Sequence, residues 1–144
     1  MLGTVVVATD GSESVSRAIG CALDVAAAFD ATVHALYVAD ADDVDSCQKR
    51  HDISDEQGRN ATETVERAAN ATDASFDVET AVRAGDPAEE IVGYVRDTGA
   101  DAVAMGTRGR SGDHALLLGS VAEAVVRTCP VPVLTVRQLR RRTG

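Results

Sequence analysis

Apolar residues along this chain fall into two alternating patterns. Short β-branched runs recur at Leu2–Thr9, Ala31–Ala39, Phe76–Val82, Asp101–Met105 and Pro130–Val136. Between them lie stretches of helical spacing. Val15, Ala18, Ile19, Ala22, Ala26 and Phe29 line one face of a first helix, and Ala61, Val65, Ala68, Ala69 and Thr72 line a second. Ser54-Asp55-Glu56-Gln57 precedes the second helix as a capping box. Asp86-Pro87-Ala88-Glu89 predicts the start of a third helix, with Asp at the N-cap, Pro at N1 and Glu at N3. Gly99 stops it. A fourth helix is expected from about Ser120. Five strands alternating with four helices predict an α/β fold: one doubly wound domain over residues 1–144 with a parallel sheet covered on both faces. Leu2–Thr9 is apolar at nearly every position, as a strand buried on both faces should be.

Such sheets bind ligands beyond the carboxyl ends of their strands, where strand order reverses. Two polar strand ends draw attention. One is Asp10, after the first strand; the other is Gly106-Thr-Arg-Gly109, after the fourth. After nine intervening residues comes Gly119-Ser120, at the predicted start of the fourth helix. Glycines allow close backbone approach. Loop amides and a helix N-terminus together form an anion-binding concavity suited to phosphate. The spacing is not a P-loop, because the single lysine, Lys49, lies elsewhere. Nor is it the G-x-G-x-x-G of dinucleotide-binding proteins. A tight turn would explain Gly106 and Gly109 alone; Gly119-Ser120 in register makes the combination specific.

Composition narrows the picture. The 144 residues carry 23 acids against 14 bases, a net charge of -9. This argues against a nucleic-acid surface, although Arg137, Arg140, Arg141 and Arg142 form a basic tail over residues 137–144. Four charges at a chain end read more simply as a frayed terminus. Fifteen acids are Asp and 13 bases are Arg, a bias expected of a halophilic archaeon or of a GC-rich genome. No apolar run is long enough to span a membrane, and the N-terminus reads as a strand rather than a leader, so a cytoplasmic protein is expected. Cys21, Cys47 and Cys129 lack paired spacing, and the first and last are expected to be buried or inert. His34, His51 and His114 lack metal-ligand spacing, so no protein-held metal site is expected.

These segments resemble the universal stress protein family, in its ATP-binding branch. The resemblance rests on Val5-Val-Val-Ala-Thr-Asp-Gly-Ser12, Gly85-Asp-Pro-Ala-Glu-Glu-Ile91, Asp101 to Gly109, Leu118-Gly-Ser-Val-Ala122 and Cys129-Pro-Val-Pro-Val-Leu134. The family's nucleotide motif, G-x2-G-x9-G-S/T, is matched by Gly106, Gly109, Gly119 and Ser120. The resemblance implies strand order 3-2-1-4-5, which sets the first and fourth strands side by side. It implies an adenine nucleotide, ATP or else ADP or AMP, with Mg2+ carried on its phosphates. Gly106, Gly109, Gly119 and Ser120 would hold ribose and phosphates, and the backbone at Val38 would meet the adenine. Met105 and Val121 would line the pocket. Thr9 and Asp10 would stand at its rim, with Asp10 at the base, at the ribose or near a phosphate-bound metal. Asp10 equally reads as a cap of the first helix. Arg108 and Arg110 could neutralise phosphate or stay solvated.

Function classes with a similar fold fit less well. A response-regulator receiver needs a lysine after the fifth strand, and a flavin carrier needs aromatic faces; the chain has two Tyr, two Phe and no Trp. No evident general base for water stands out apart from Asp10 or Asp113, and no catalytic residue is assigned. A nucleotide-binding regulatory module acting on a protein partner is therefore expected, with a slow ATPase or a nucleotide-free dimeric scaffold as alternatives. The fifth strand, an edge in that order, is expected to form a homodimer contact.

Overall fold

The computed structural model describes residues 3–9, 16–40, 63–70, 77–107 and 119–136. In chain order the elements are β1 (Thr4–Thr9), α1 (Ser16–Phe29), β2 (Thr32–Asp40), α2 (residues 63–70), β3 (Val78–Gly85), α3 (Pro87–Thr98), β4 (Ala102–Gly106), α4 (Ser120–Thr128) and β5 (Val133–Val136). The five strands form one parallel sheet in the order β3-β2-β1-β4-β5. This is the α/β, doubly wound architecture expected from the sequence.

Side chains of β1 alternate between two cores. Val5 and Val7 pack with Ala18, Ile19, Ala22 and Ala26 of α1, and with Val65 and Ala69 of α2. Val6 faces the other way, against Ile91, Tyr94 and Val95 of α3 and Ala122 and Val125 of α4. All three valines are at most 2% exposed, and each such burial contributes about 1.5–3 kcal/mol. The chain runs from β1 outward through β2 to β3 with helices on one face. It then returns across β1 to β4 and β5 with helices on the other face, as right-handed crossovers demand.

Capping sets the ends of α3. The Asp86 carboxylate accepts from the Glu89 amide at 3.0 Å, and Pro87 occupies the first turn, where its missing N–H costs nothing. Gly99 closes the helix in the left-handed region, φ 69°, with its amide donating to the Val95 carbonyl. The Ser54–Gln57 box lies outside the described residues. Two strand limits differ from expectation by three residues. β3 continues past Val82 to Gly85, and Arg83 within this extension finds partners on α3. It sits 4.8 Å from the centre of the Tyr94 ring and 3.0 Å from the Asp97 carboxylate. β5 begins at Val133, so Pro132 precedes the strand rather than standing inside it. The Pro132 carbonyl still accepts from the Val103 amide at 3.0 Å. Cys21 and Cys129 are half-buried rather than fully buried, each packed against one of the cores.

Candidate functional site

β1 is bonded on both sides, but not for the same length. It stays paired with β2 up to Thr9, opposite Tyr37. With β4 its register ends at Val7, opposite Ala104. Meanwhile β4 stays paired with β5 as far as Gly106, opposite Val136. Ala8 and Thr9 thus part from Met105 and Gly106 where neighbouring strands remain joined. The order of the sheet reverses at this place, which is where sheets of this kind form a ligand crevice.

Thr9, at the end of β1, is only 4% exposed, the one buried polar residue among those described. Val38 at the end of β2, Met105 on β4 and Val121 on α4 all belong to the core cluster beneath α3 and α4. Thr107, just past β4, is held by backbone bonds on both sides. Its amide donates to the Val136 carbonyl at 3.2 Å, and its carbonyl accepts from the Gly119 amide at 2.6 Å. The Gly119 carbonyl in turn accepts from the Glu123 amide at 2.9 Å, the first bond of α4. Both ends of the glycine motif are thereby brought together.

This arrangement refines the role of Gly119. It is the N-cap of α4, extended at φ -65° and ψ 162°, with no side-chain cap. Its amide is spent on Thr107 and is not a donor for phosphate. The amides of Ser120, Val121 and Ala122 precede the first i→i−4 bond and have no acceptor within the helix. These are the donors the helix offers to an anion, with the positive end of its dipole behind them. Ser120 itself is exposed. Sequence spacing had located the two glycine pairs but passed over Thr107, whose contribution is made by its backbone alone.

Of the residues singled out from sequence, Thr9, Val38, Met105, Gly106, Gly119, Ser120 and Val121 are described and lie at the carboxyl edge of the central strands or the start of α4. Asp10, Arg108, Gly109 and Arg110 lie outside the described residues, as do Cys47, Asp113, His114 and the 137–144 tail. Among the described residues no group of three or more His, Cys, Asp or Glu could hold a metal ion, and no helix is long and apolar enough to cross a membrane.

A second polar cluster stands away from the crevice. His34 Nδ1 shares a 2.7 Å hydrogen bond with the Tyr94 hydroxyl, while His34 Nε2 lies 3.0 Å from Glu79 Oε2. Burial pushes the Tyr94 phenol above its ordinary value, the Glu79 carboxylate adds to this, and the Arg83 guanidinium opposes it. The cluster joins α3 to β2 and β3.

A sheet in this order, opening beside β1 under an uncapped helix, has known counterparts. The model of the universal stress protein family matches residues 1–137. The chain belongs to that family. Universal stress protein MJ0531 of Methanocaldococcus jannaschii is 34% identical over 143 residues, covering 95% of this chain and 83% of its own. The solved structure of MJ0577 from the same organism superposes with a TM-score of 0.78 at 28% identity and covers 99% of each chain. A universal stress protein solved in complex with cAMP superposes at 0.74 with 30% identity, over 96% of this chain and 99% of that one.

Proposed function

We propose that this universal stress protein binds ATP or a close adenine nucleotide in the crevice between β1 and β4. It would act as a regulatory module that hydrolyses the nucleotide slowly or not at all. The observation that carries this is the end of β1–β4 pairing at Val7 while β4 runs on to Gly106, together with the bond that ties Thr107 to the start of α4. The phosphates would rest on the Ser120 and Val121 amides, with Gly106, Gly109 and Gly119 allowing the backbone to approach them. Val38 would meet the adenine through its backbone. Met105 and Val121 would supply apolar floor, and Thr9 and Asp10 would bound the pocket on the β1 side. Arg108 and Arg110 follow Gly106 closely enough in sequence to reach phosphate. Mg2+ would enter on the phosphates. The cAMP complex of a relative 30% identical to this chain supports an adenine nucleotide. The nucleotide state would be read by a protein partner in the cytoplasm.

Calorimetry tests the site. Gly119→Val puts a branched side chain where phosphate must approach, and its ATP affinity should fall at least about tenfold, a loss of roughly 1.4 kcal/mol. Undiminished binding would remove Gly119 from the site. Turnover tests the regulatory role. The chain's one lysine, Lys49, belongs to no phosphate-binding motif, and no P-loop or arginine-finger pattern accompanies the glycines. Multiple-turnover phosphate release should stay well below the roughly 10 s⁻¹ of an average enzyme. Release at that rate from protein freed of contaminating ATPase would make it an enzyme instead.

A further inference from the structure

The backbone bonds that shape the phosphate end of the crevice also reach the edge of the sheet. β5 is four residues long and is paired on one side only, to β4. Its last residue gives its carbonyl to the Thr107 amide, and Thr107 gives its own carbonyl to the Gly119 amide at the start of α4. Packing runs beside this chain of bonds. Val131 and Val133 share one apolar cluster with Met105, Val121 and Ala122. A short strand at the edge of a sheet is the kind of element that opens first. When β5 lifts from β4, the Thr107 amide loses its acceptor, and the position of Thr107, and through it Gly119, is no longer fixed from that side. A phosphate on the Ser120 and Val121 amides needs that position fixed. The nucleotide then binds the docked state more tightly than the undocked one, and such a difference is what any coupling requires.

We propose that nucleotide occupancy of the crevice and docking of β5 on β4 are coupled through Thr107, each stabilising the other. The proposal rests on the nucleotide reading above and adds a regulation to it. By reciprocity, whatever covers the β5 edge raises nucleotide affinity by the factor by which nucleotide favours that cover. The crevice and the sheet edge then report on one another without a shared ligand.

Amide exchange of the full chain, with and without saturating ATP, tests this, with ATP affinity measured by calorimetry on the same samples. Exchange at Thr107 and across Val133–Val136 should slow at least about fivefold more than across the opposite edge strand, Val78–Gly85, at the low end of usual coupling strengths. Thr107→Pro removes the N–H that Val136 accepts and keeps the carbonyl that Gly119 uses; the extra slowing should vanish. Thr107→Ala keeps the N–H and should keep the slowing, so the parent and this variant decide the matter if the proline variant does not fold. ATP that binds while β5 slows no more than β3 overturns the coupling and leaves the nucleotide site standing. ATP that does not bind overturns both.

Discussion

Replacing Tyr94 with Phe removes one oxygen and asks what holds α3 to the sheet. That oxygen meets His34 at 2.7 Å while Arg83 lies over the ring. Loss of one hydrogen bond of this kind should cost about 1 kcal/mol near neutral pH. Alkali gives a separate signature. Burial, aided by Glu79, holds the Tyr94 phenol above its ordinary value, so above about pH 10 the folded state keeps a proton that the unfolded chain has released. With more protons bound when folded, stability falls as pH rises through that window. Denaturation midpoints from pH 8 to 11 should therefore fall more steeply for the parent than for Tyr94→Phe. Parallel curves would show that the phenol carries no such linkage. The same residue shows why part of the design was not legible in sequence. Arg83 continues the alternation of β3 beyond Val82, but only the fold supplies the Tyr94 ring and the Asp97 carboxylate that it meets.

Among the elements, α3 was the most legible, because both of its ends are written in local chemistry: a carboxylate that reaches back to its first turn and a glycine in the left-handed region. β5 was the least. Pro130 and Pro132 sit among valines, and sequence cannot show that pairing with β4 by a strand proper starts only at Val133. The crevice was half legible. Glycine spacing marked its two ends, whereas the splay of β1 from β4 and the bond between Thr107 and Gly119 depend on strands distant in sequence. β5 also carries the expectation of a homodimer. Its Leu134 is 41% exposed, on an edge that no strand covers among the described residues. We propose that a second copy pairs there about a two-fold axis. Leu134→Asp places a charge on this exposed position and should yield folded monomers, whereas Val133 is half-buried in the core and would report on stability as well. Sedimentation of the parent as a monomer at micromolar concentration, in salt that keeps it folded, would remove β5 as the contact.

For the molecule as a whole, charge sets the conditions of folding. Twenty-three acids against 14 bases leave a net -9, and the pairs Arg67 with Glu63 and Arg127 with Glu123 are exposed i,i+4 contacts of small worth. Added salt screens the repulsion, so the melting midpoint should rise between low and molar KCl at neutral pH. A flat series would count against adaptation to high salt. One last feature bears on how any of these measurements is mounted. The Asp101 carboxylate accepts from the Gly3 and Thr4 amides at 2.8 and 3.1 Å, fastening β4 to the beginning of β1. The two central strands are therefore pinned at one end and parted at the other, like the legs of a pair of dividers. Six residues of extended strand put about 20 Å between the pin and the opening. A tether attached ahead of Gly3 would hold the protein by its pivot, leaving the mouth free to meet ligand from solution.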